Sequence, residues 1–499
     1  MTITSINFLA FLILGVVVYY LIPKKSQWIV LLVCSVLFYC LATNPITILY
    51  LVAAAMIAYV STLYAAKLKA AEDTSRKAKM ITGVSIVLLV LLWFIPKGTS
   101  LWSAGRINII GALGMGYYTA QTISYILDVY WDTIKPQRNF LKLFLFIAFF
   151  PQLTVGPISR YQALEPLYAA HDFSYDNITS GFQRILWGLM KKMVLSDRIG
   201  YITSAIWADP ATFTGGWPWI AVLIYPLQLY ADFSGCMDIV LGTAELFDIR
   251  LAENFNTPFF SRTVQEFWQR WHITLGGWAR DYLYYPVLKS DALINLGKKC
   301  KARFGKRLGK LIPWTIGMII LWTAMGVWHG TVMHVLGVGL WFCAIIVISE
   351  ITQPLMKRVT DLLHINTESF GWRLFQMIRT YIFFAIGTLC FSAKSIGGLI
   401  DNLRILKHSF DEHAPWYIFE ETLFSIGVRW LDIWIIIGCL LMLLTVDIIY
   451  SKKGPVRKII KRHRIAFRWA LWIDLFLLVI LCGMYGPGYD ASSFIYQGF

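Results

Sequence analysis

Two histidines stand in one of the most apolar stretches of the chain, residues 321–341, LWTAMGVWHGTVMHVLGVGLW. An imidazole gains or loses its proton near neutral pH, so it can act as general base or acid wherever it is aimed at a reacting group. Buried in hydrocarbon it is costly unless it is partnered or faces water, which makes His329 and His334 candidate functional groups. His329 lies between Trp328 and Gly330, a bulky wall on one side and bare backbone on the other. That setting suits a reacting group beside a tunnel. The competing reading is a histidine that donates to a neighbouring helix's carbonyl. No metal is expected, because five residues of continuous helix turn His329 and His334 about 140° apart.

Carboxylates and arginines also stand where apolar residues dominate. Asp232 lies in LQLYADFSG, within the apolar run 220–247, and needs a donor or water. One reading makes it a functional carboxylate; the other makes it a structural acceptor for an arginine such as Arg270 or Arg280. The segment 254–285, NFNTPFFSRTVQEFWQRWHITLGGWARDYLYY, mixes aromatics with Arg262, Glu266, Arg270, His272, Arg280 and Asp281. Glu266 and Arg270 are spaced to pair on one helix face. The mixture suits an amphipathic helix at the interface or a lid on a bundle. His171, His364, His408, His413 and His463 fall in polar connectors and are not expected to be catalytic.

The elements that must position these groups are membrane spans. The 499 residues are 57% hydrophobic with mean hydropathy +0.59, above the soluble norm. Apolar runs at 7–22, 28–41, 46–66 and 80–95 are each near the roughly 20 residues a crossing needs. Further runs follow at 312–328, 334–351, 377–391, 430–450 and 469–484. No charge precedes the first run and no small-residue cleavage site follows it, so it is expected to stay as a span. Residues 107–160 are irregular, with GALGMGYY and PQLTVGPISR breaking helices, and read as helix pairs or re-entrant pieces lining a central space. Residues 181–207 are helical, and Lys191 with Lys192 suggests a partly interfacial position.

The fold class is therefore an all-α polytopic membrane protein of about 10–11 transmembrane helices with re-entrant or interfacial pieces around a central tunnel. One membrane domain covers 1–499: N-terminal spans 1–100, a catalytic core 107–350 and C-terminal spans 370–499. The basic stretches 289–310 and 452–468 hold eight Lys and Arg each, which the positive-inside rule puts in the cytoplasm, with both termini outside. That rule accounts for the net charge of +16 without a nucleic acid. A grip on anionic lipid or an acidic protein is a lesser reading of the first stretch. The eight cysteines form no CxxC pair and read as small core hydrophobes.

Five blocks in order resemble the membrane-bound O-acyltransferase family, in particular its bacterial alginate O-acetyltransferase-like branch. They are FFPQLTVGPISRY (149–161), YADFSGCMDIVLG (230–242), ENFNTPF (253–259), EFWQRWHITLGGWARDYLYYP (266–286) and GVWHG (326–330), with the tail SSFIYQGF in support. The resemblance implies acyl transfer from a cytoplasmic thioester, acetyl-CoA or an acyl carrier protein, to a hydroxyl on the outer side. It implies that His329 is the signature catalytic residue and His272 the second histidine. His334 matches nothing in the family. Trp328, Asp232, Arg270 and Arg280 are the candidate substrate-binding residues.

The residue chemistry agrees. A hydroxyl is a poor nucleophile, and a neutral imidazole within reach can take its proton during attack. The thioester oxyanion needs donors, which the Trp328 indole, His272 or backbone N–H groups could supply. The implied partners are the lipid bilayer of the cell membrane, an exported polysaccharide acceptor and an extracytoplasmic esterase- or transferase-like protein. D-alanyl transfer to teichoic acid from a carrier protein is the alternative within the family. A transporter or flippase, with Asp128, Asp232 and the histidines as a proton relay, is the rival from another class. It lacks the internal repeat that such folds often carry.

Overall fold

Long apolar runs fold as helices because only a helix satisfies its own backbone in hydrocarbon. The computed structural model describes residues 1–70, 75–102, 112–209, 213–330, 332–393, 395–409 and 416–485. The tail SSFIYQGF, His413 and residues 107–111 lie outside the described residues. The helices used below are α1 Ile6–Leu21, α2 Gln27–Ala42, α3 Ile48–Ala70, α4 Ser75–Trp102, α5 Met115–Tyr130, α6 Phe140–Ala148, α7 Tyr175–Leu189, α8 Trp217–Leu246, α9 Val264–Arg270, α10 Ile273–Ala279, α11 Asp291–His329, α12 Phe342–Leu362, α13 Phe370–Ser392, α14 Trp430–Lys453 and α15 Ile465–Cys482. Nine helices among the described residues are long and apolar enough to cross a membrane, and α1 is a shorter apolar helix of 16 residues. This is an all-α polytopic membrane protein.

Three features go beyond the sequence reading. Most of the basic stretch 289–310 is helical: it lies within α11, whose two arms meet at Gly305 (φ 82°, ψ 174°). A Cβ on Gly309 would lie 2.7 Å from Lys301 Cα, so the arms fold back on each other. The segment 254–285 is not one amphipathic helix. It is a buried turn followed by α9 and α10, with Trp271 and His272 deep in the core. Lys191 and Lys192 are both buried against protein, 3% and 2% exposed, in a π-helical turn, Met190–Ser196.

The reason for that burial is a glycine seam. Gly181 and Gly188 on α7 face Gly242 and Gly235 on the antiparallel α8. A Cβ on Gly188 would come within 2.5 Å of the Gly235 carbonyl oxygen, and one on Gly242 within 2.6 Å of that of Gly181. Small residues let backbones touch where lipid offers no hydrophobic drive. The close approach brings the lysines against acids on α8. Lys192 Nζ lies 2.7 Å from both Asp232 and Asp197, and Lys191 Nζ lies 2.7 Å from Asp238 and 2.8 Å from Ser234 Oγ. Asp232 thus takes Lys192, not Arg270 or Arg280, as its partner.

Gly188→Val is expected to abolish the monodisperse folded peak in size-exclusion chromatography, since its side chain meets backbone rather than a yielding side chain. Gly216→Ala, with nothing within 4 Å of the added Cβ, is expected to leave the peak unchanged.

Candidate active site

His329 ends α11. The next residue, Gly330, adopts φ 113°, which an L side chain rarely takes, and the chain reverses into a π-helical segment, Val335–Trp341, that leads into α12. The return is tight: a Cβ on Gly326 would lie 2.7 Å from Val335 Cα. The His329 and His334 rings consequently lie nearly parallel, 6.0 Å apart, and His334 stacks on Phe391 at 4.8 Å. The expected divergence of 140° held only for unbroken helix. Among the described residues no set of three His, Cys, Asp or Glu side chains gathers as a metal site.

His272 is placed by backbone. The turn at 253–259 runs back along 270–273: Asn256 N donates to Arg270 O (2.9 Å), Ile273 N donates to Asn254 O (3.0 Å), and Phe255 bridges Trp271. Arg184 grips Glu253 through two hydrogen bonds of 2.8 and 2.5 Å, anchoring the turn on α7. His272 itself is left-handed, φ 50° and ψ 50°, a conformation that costs a non-glycine residue about 1–3 kcal/mol unless its surroundings enforce it.

The same turn favours one tautomer. Asn254 Oδ1 accepts from Thr274 N and Thr274 Oγ1, both at 2.9 Å, which uses both lone pairs. His272 Nδ1 lies 3.2 Å from the Asn254 amide nitrogen and 3.3 Å from its Oδ1; with Oδ1 already accepting twice from Thr274, the pairing favoured is the amide N–H donating to Nδ1. In that pairing His272 carries its proton on Nε2, an atom that is buried with no hydrogen-bond partner among the described residues. Complete burial pushes the His272 pKa down to about 3, so the ring stays neutral at physiological pH.

Trp328 joins the two histidines. Its ring lies 4.9 Å from His329, 6.0 Å from His272 and 5.3 Å, edge-on, from Tyr117. Phe233 of α8 closes the other side of His272 at 4.9 Å. The Trp328 indole N–H donates to Gly116 O (3.3 Å), and the approach is close: a Cβ on Gly116 would lie 3.1 Å from Nε1, so a larger residue would push the indole. Gly116 lies in the glycine-rich stretch that the sequence marked as irregular. His272, Trp328 and His329 thus meet in one buried aromatic cluster.

The other candidates lie elsewhere. Asp232 is beside Phe233 in sequence, but its carboxylate faces Lys192. Arg270 pairs with Glu266 at 2.7 Å, as the spacing predicts, and Arg280 pairs with Asp281 at 2.9 Å on an exposed edge. Asp128 accepts from Tyr282 Oη at 2.7 Å. His171, read from sequence as part of a polar connector, is buried with Nδ1 2.6 Å from Tyr19 Oη. Asn254, Tyr117 and Phe233 went unnoticed in the sequence as site residues, although Asn254 and Phe233 lie inside two of the quoted blocks.

Residues 135–298 match the family described as MBOAT, membrane-bound O-acyltransferase. The chain is 29% identical over 399 residues to the "Probable alginate O-acetylase AlgI" of Pseudomonas aeruginosa, covering 74% of this chain and 71% of that protein. Over residues 135–298 the chain is similar to the membrane-bound O-acyltransferase family. Within it, the likeness is to the alginate O-acetylase-like branch: a protein of the same name in Azotobacter vinelandii is 34% identical over 45% of this chain and 44% of its own. A teichoic acid D-alanyltransferase of Bacillus subtilis is 27% identical over 58% of this chain and 70% of its own. The chain spans about half the length of the first relatives it matches. The family match includes His272 and stops before His329.

Unfolded, an exposed imidazole titrates near about 6.5; folded, His272 stays neutral down to about 3. Its contribution to stability is thus complete above pH 6.5 and is lost as pH falls below that value, because the unfolded state binds the extra proton. His272→Asn, which tolerates left-handed backbone, is expected to flatten the decline of melting temperature between pH 7 and pH 5. The difference approaches about 1.4 kcal/mol per pH unit. Parallel profiles for wild type and variant would contradict the burial of a neutral His272.

Proposed function

We propose that this protein is a membrane O-acyltransferase. It moves an acyl group, acetyl above all, from a cytoplasmic thioester donor to a hydroxyl of an exported or cell-surface polysaccharide. An extracytoplasmic esterase- or transferase-like partner, whose own hydroxyl can be the acceptor, completes delivery. What carries the reading is the meeting of His272 and His329 across Trp328, two histidines on separate elements inside one buried cluster.

The geometry suggests a division of labour. His329, at the end of α11, takes the acceptor hydroxyl's proton as the oxygen attacks the thioester carbonyl carbon. The carbonyl oxygen, now an oxyanion, receives the Nε2–H of His272, which the Asn254 contact holds in the donor tautomer. Collapse of the tetrahedral intermediate forms the ester and expels the thiolate, which recovers the proton from the His329 imidazolium. Because Trp328 gives its N–H to Gly116, its role is to hold the rings apart at working distance. Arg270, Arg280 and Asp232 act through the scaffold rather than at the reacting atoms. Both termini are proposed to face outward, with the basic arms of α11 and residues 452–468 in the cytoplasm.

A second reading keeps the chemistry and changes the group: D-alanyl transfer from a carrier protein. The match to most of the length of a Bacillus subtilis teichoic acid D-alanyltransferase favours keeping it.

The test is label transfer from acetyl-CoA into exported polysaccharide and protein, in membranes with matched amounts of each variant. His329→Ala is expected to lose about 10²–10⁴-fold. His364→Ala, on an exposed turn, is expected to transfer as wild type does. Wild type silent with acetyl-CoA but active with a charged carrier protein selects the D-alanyl reading. Equal transfer by wild type and His329→Ala would reduce that histidine to packing.

A further inference from the structure

A polar track runs along α13 outside the histidine cluster. Arg373, Gln376 and Arg379 follow at three-residue steps, rising about 9 Å along the helix. Arg373 donates to Glu368 (2.9 Å) and Arg379 Nη2 to the Arg262 carbonyl (2.9 Å). Beyond these bonds, Arg373 Nε, Gln376 Oε1 and Arg379 Nε are all buried with no partner among the described residues. Three successive buried polar atoms on one helix face call for a further partner.

The charge around them is one-sided. Across from α13, Glu266 is already engaged: one oxygen takes Arg270 (2.7 Å) and the other takes the Arg262 amide (2.8 Å). Among the described residues no carboxylate lies within ion-pair distance of Arg262 or Arg379. Arg270 and Arg373 each hold one carboxylate, Glu266 and Glu368, while Arg379 has, among the described residues, only the Arg262 carbonyl. An arginine inside a spanning helix without an acidic partner is costly and marks a binding function by default. The track also borders the lipid-facing edge of α13, where Phe375, Ile378 and Ile382 are exposed.

We propose that the groove between α13 and the segment 257–270 binds a phosphate ester. Planar guanidinium forks match phosphoryl oxygens, and the two free oxygens of a phosphodiester or the three of a phosphomonoester can accept from Arg373 and Arg379 together. Two molecules bring that chemistry here. One is an anionic phospholipid, entering from the exposed edge. The other is the phosphorylated arm of the thioester donor, a source that rests on the proposed function.

The experiment uses the full chain, purified in detergent, as wild type, Arg379→Gln, Arg379→Lys and Arg373→Gln. Two quantities are read: co-purified phosphatidylglycerol by mass spectrometry, and equilibrium binding of labelled coenzyme A. Arg379→Gln is expected to weaken one of them about tenfold or more, with partial recovery in Arg379→Lys. Loss of lipid alone assigns the headgroup. Loss of coenzyme A affinity assigns the donor, and KM for acetyl-CoA should then rise with kcat kept. Should Arg379→Gln fail to fold, Arg373→Gln, nearer the start of α13, carries the same comparison. The proposal is overturned if wild type holds neither molecule, or if the variants hold both as wild type does. Failure of the acyltransfer reading looks different: wild type would transfer nothing, whatever stands at 379.

Discussion

The contact between the backbones of α7 and α8 is the constraint from which the site follows. Four glycines let the helices touch, and the touching fixes their register. With that register set, Lys191 and Lys192 meet Asp238 and Asp232, and Arg184 reaches both Asp238 and Glu253. Glu253 precedes Asn254, and Asn254 orients His272. Phe233, one residue from Asp232, packs on the same ring. A change of one helical step along the seam would shift every one of these partners.

Buried charges of this number are tolerated because each has a partner. Removing one side of such a pair leaves an uncompensated ion, whereas the pair itself adds little net stability. The network is therefore better understood as fixing arrangement than as supplying stability. It also holds His272 in left-handed backbone, a strained conformation that persists only where the surroundings over-determine it. In that conformation the ring of His272 lies 6.0 Å from Trp328.

Much of the fold was legible in the chain. Apolar runs near twenty residues long became helices, residues 112–160 of the broken stretch became separate helices joined by irregular backbone, and Glu266 found Arg270 across one helical turn. What stayed hidden depends on distance in sequence. Asp232 meets Lys192, 40 residues away, because glycines on a different helix bring them together. The closeness of His329 and His334 depends on one φ angle at Gly330, which residue type permits but does not announce. Asn254 looked like part of a polar turn, and only the bonds from Thr274 reveal that it favours one tautomer of His272. The histidines themselves were legible, since an imidazole in apolar surroundings needs a reason to be there.

The central claim is that His272 and His329 act on one reaction at one centre. The direct measurement is a double-mutant cycle on single-turnover acyl transfer, comparing wild type, His272→Asn, His329→Ala and the double variant. Residues that act as a unit are strongly non-additive. The account predicts that the double variant is no slower than the slower single variant, within about threefold. Losses that multiply would contradict it and show that the two histidines act independently rather than at one centre.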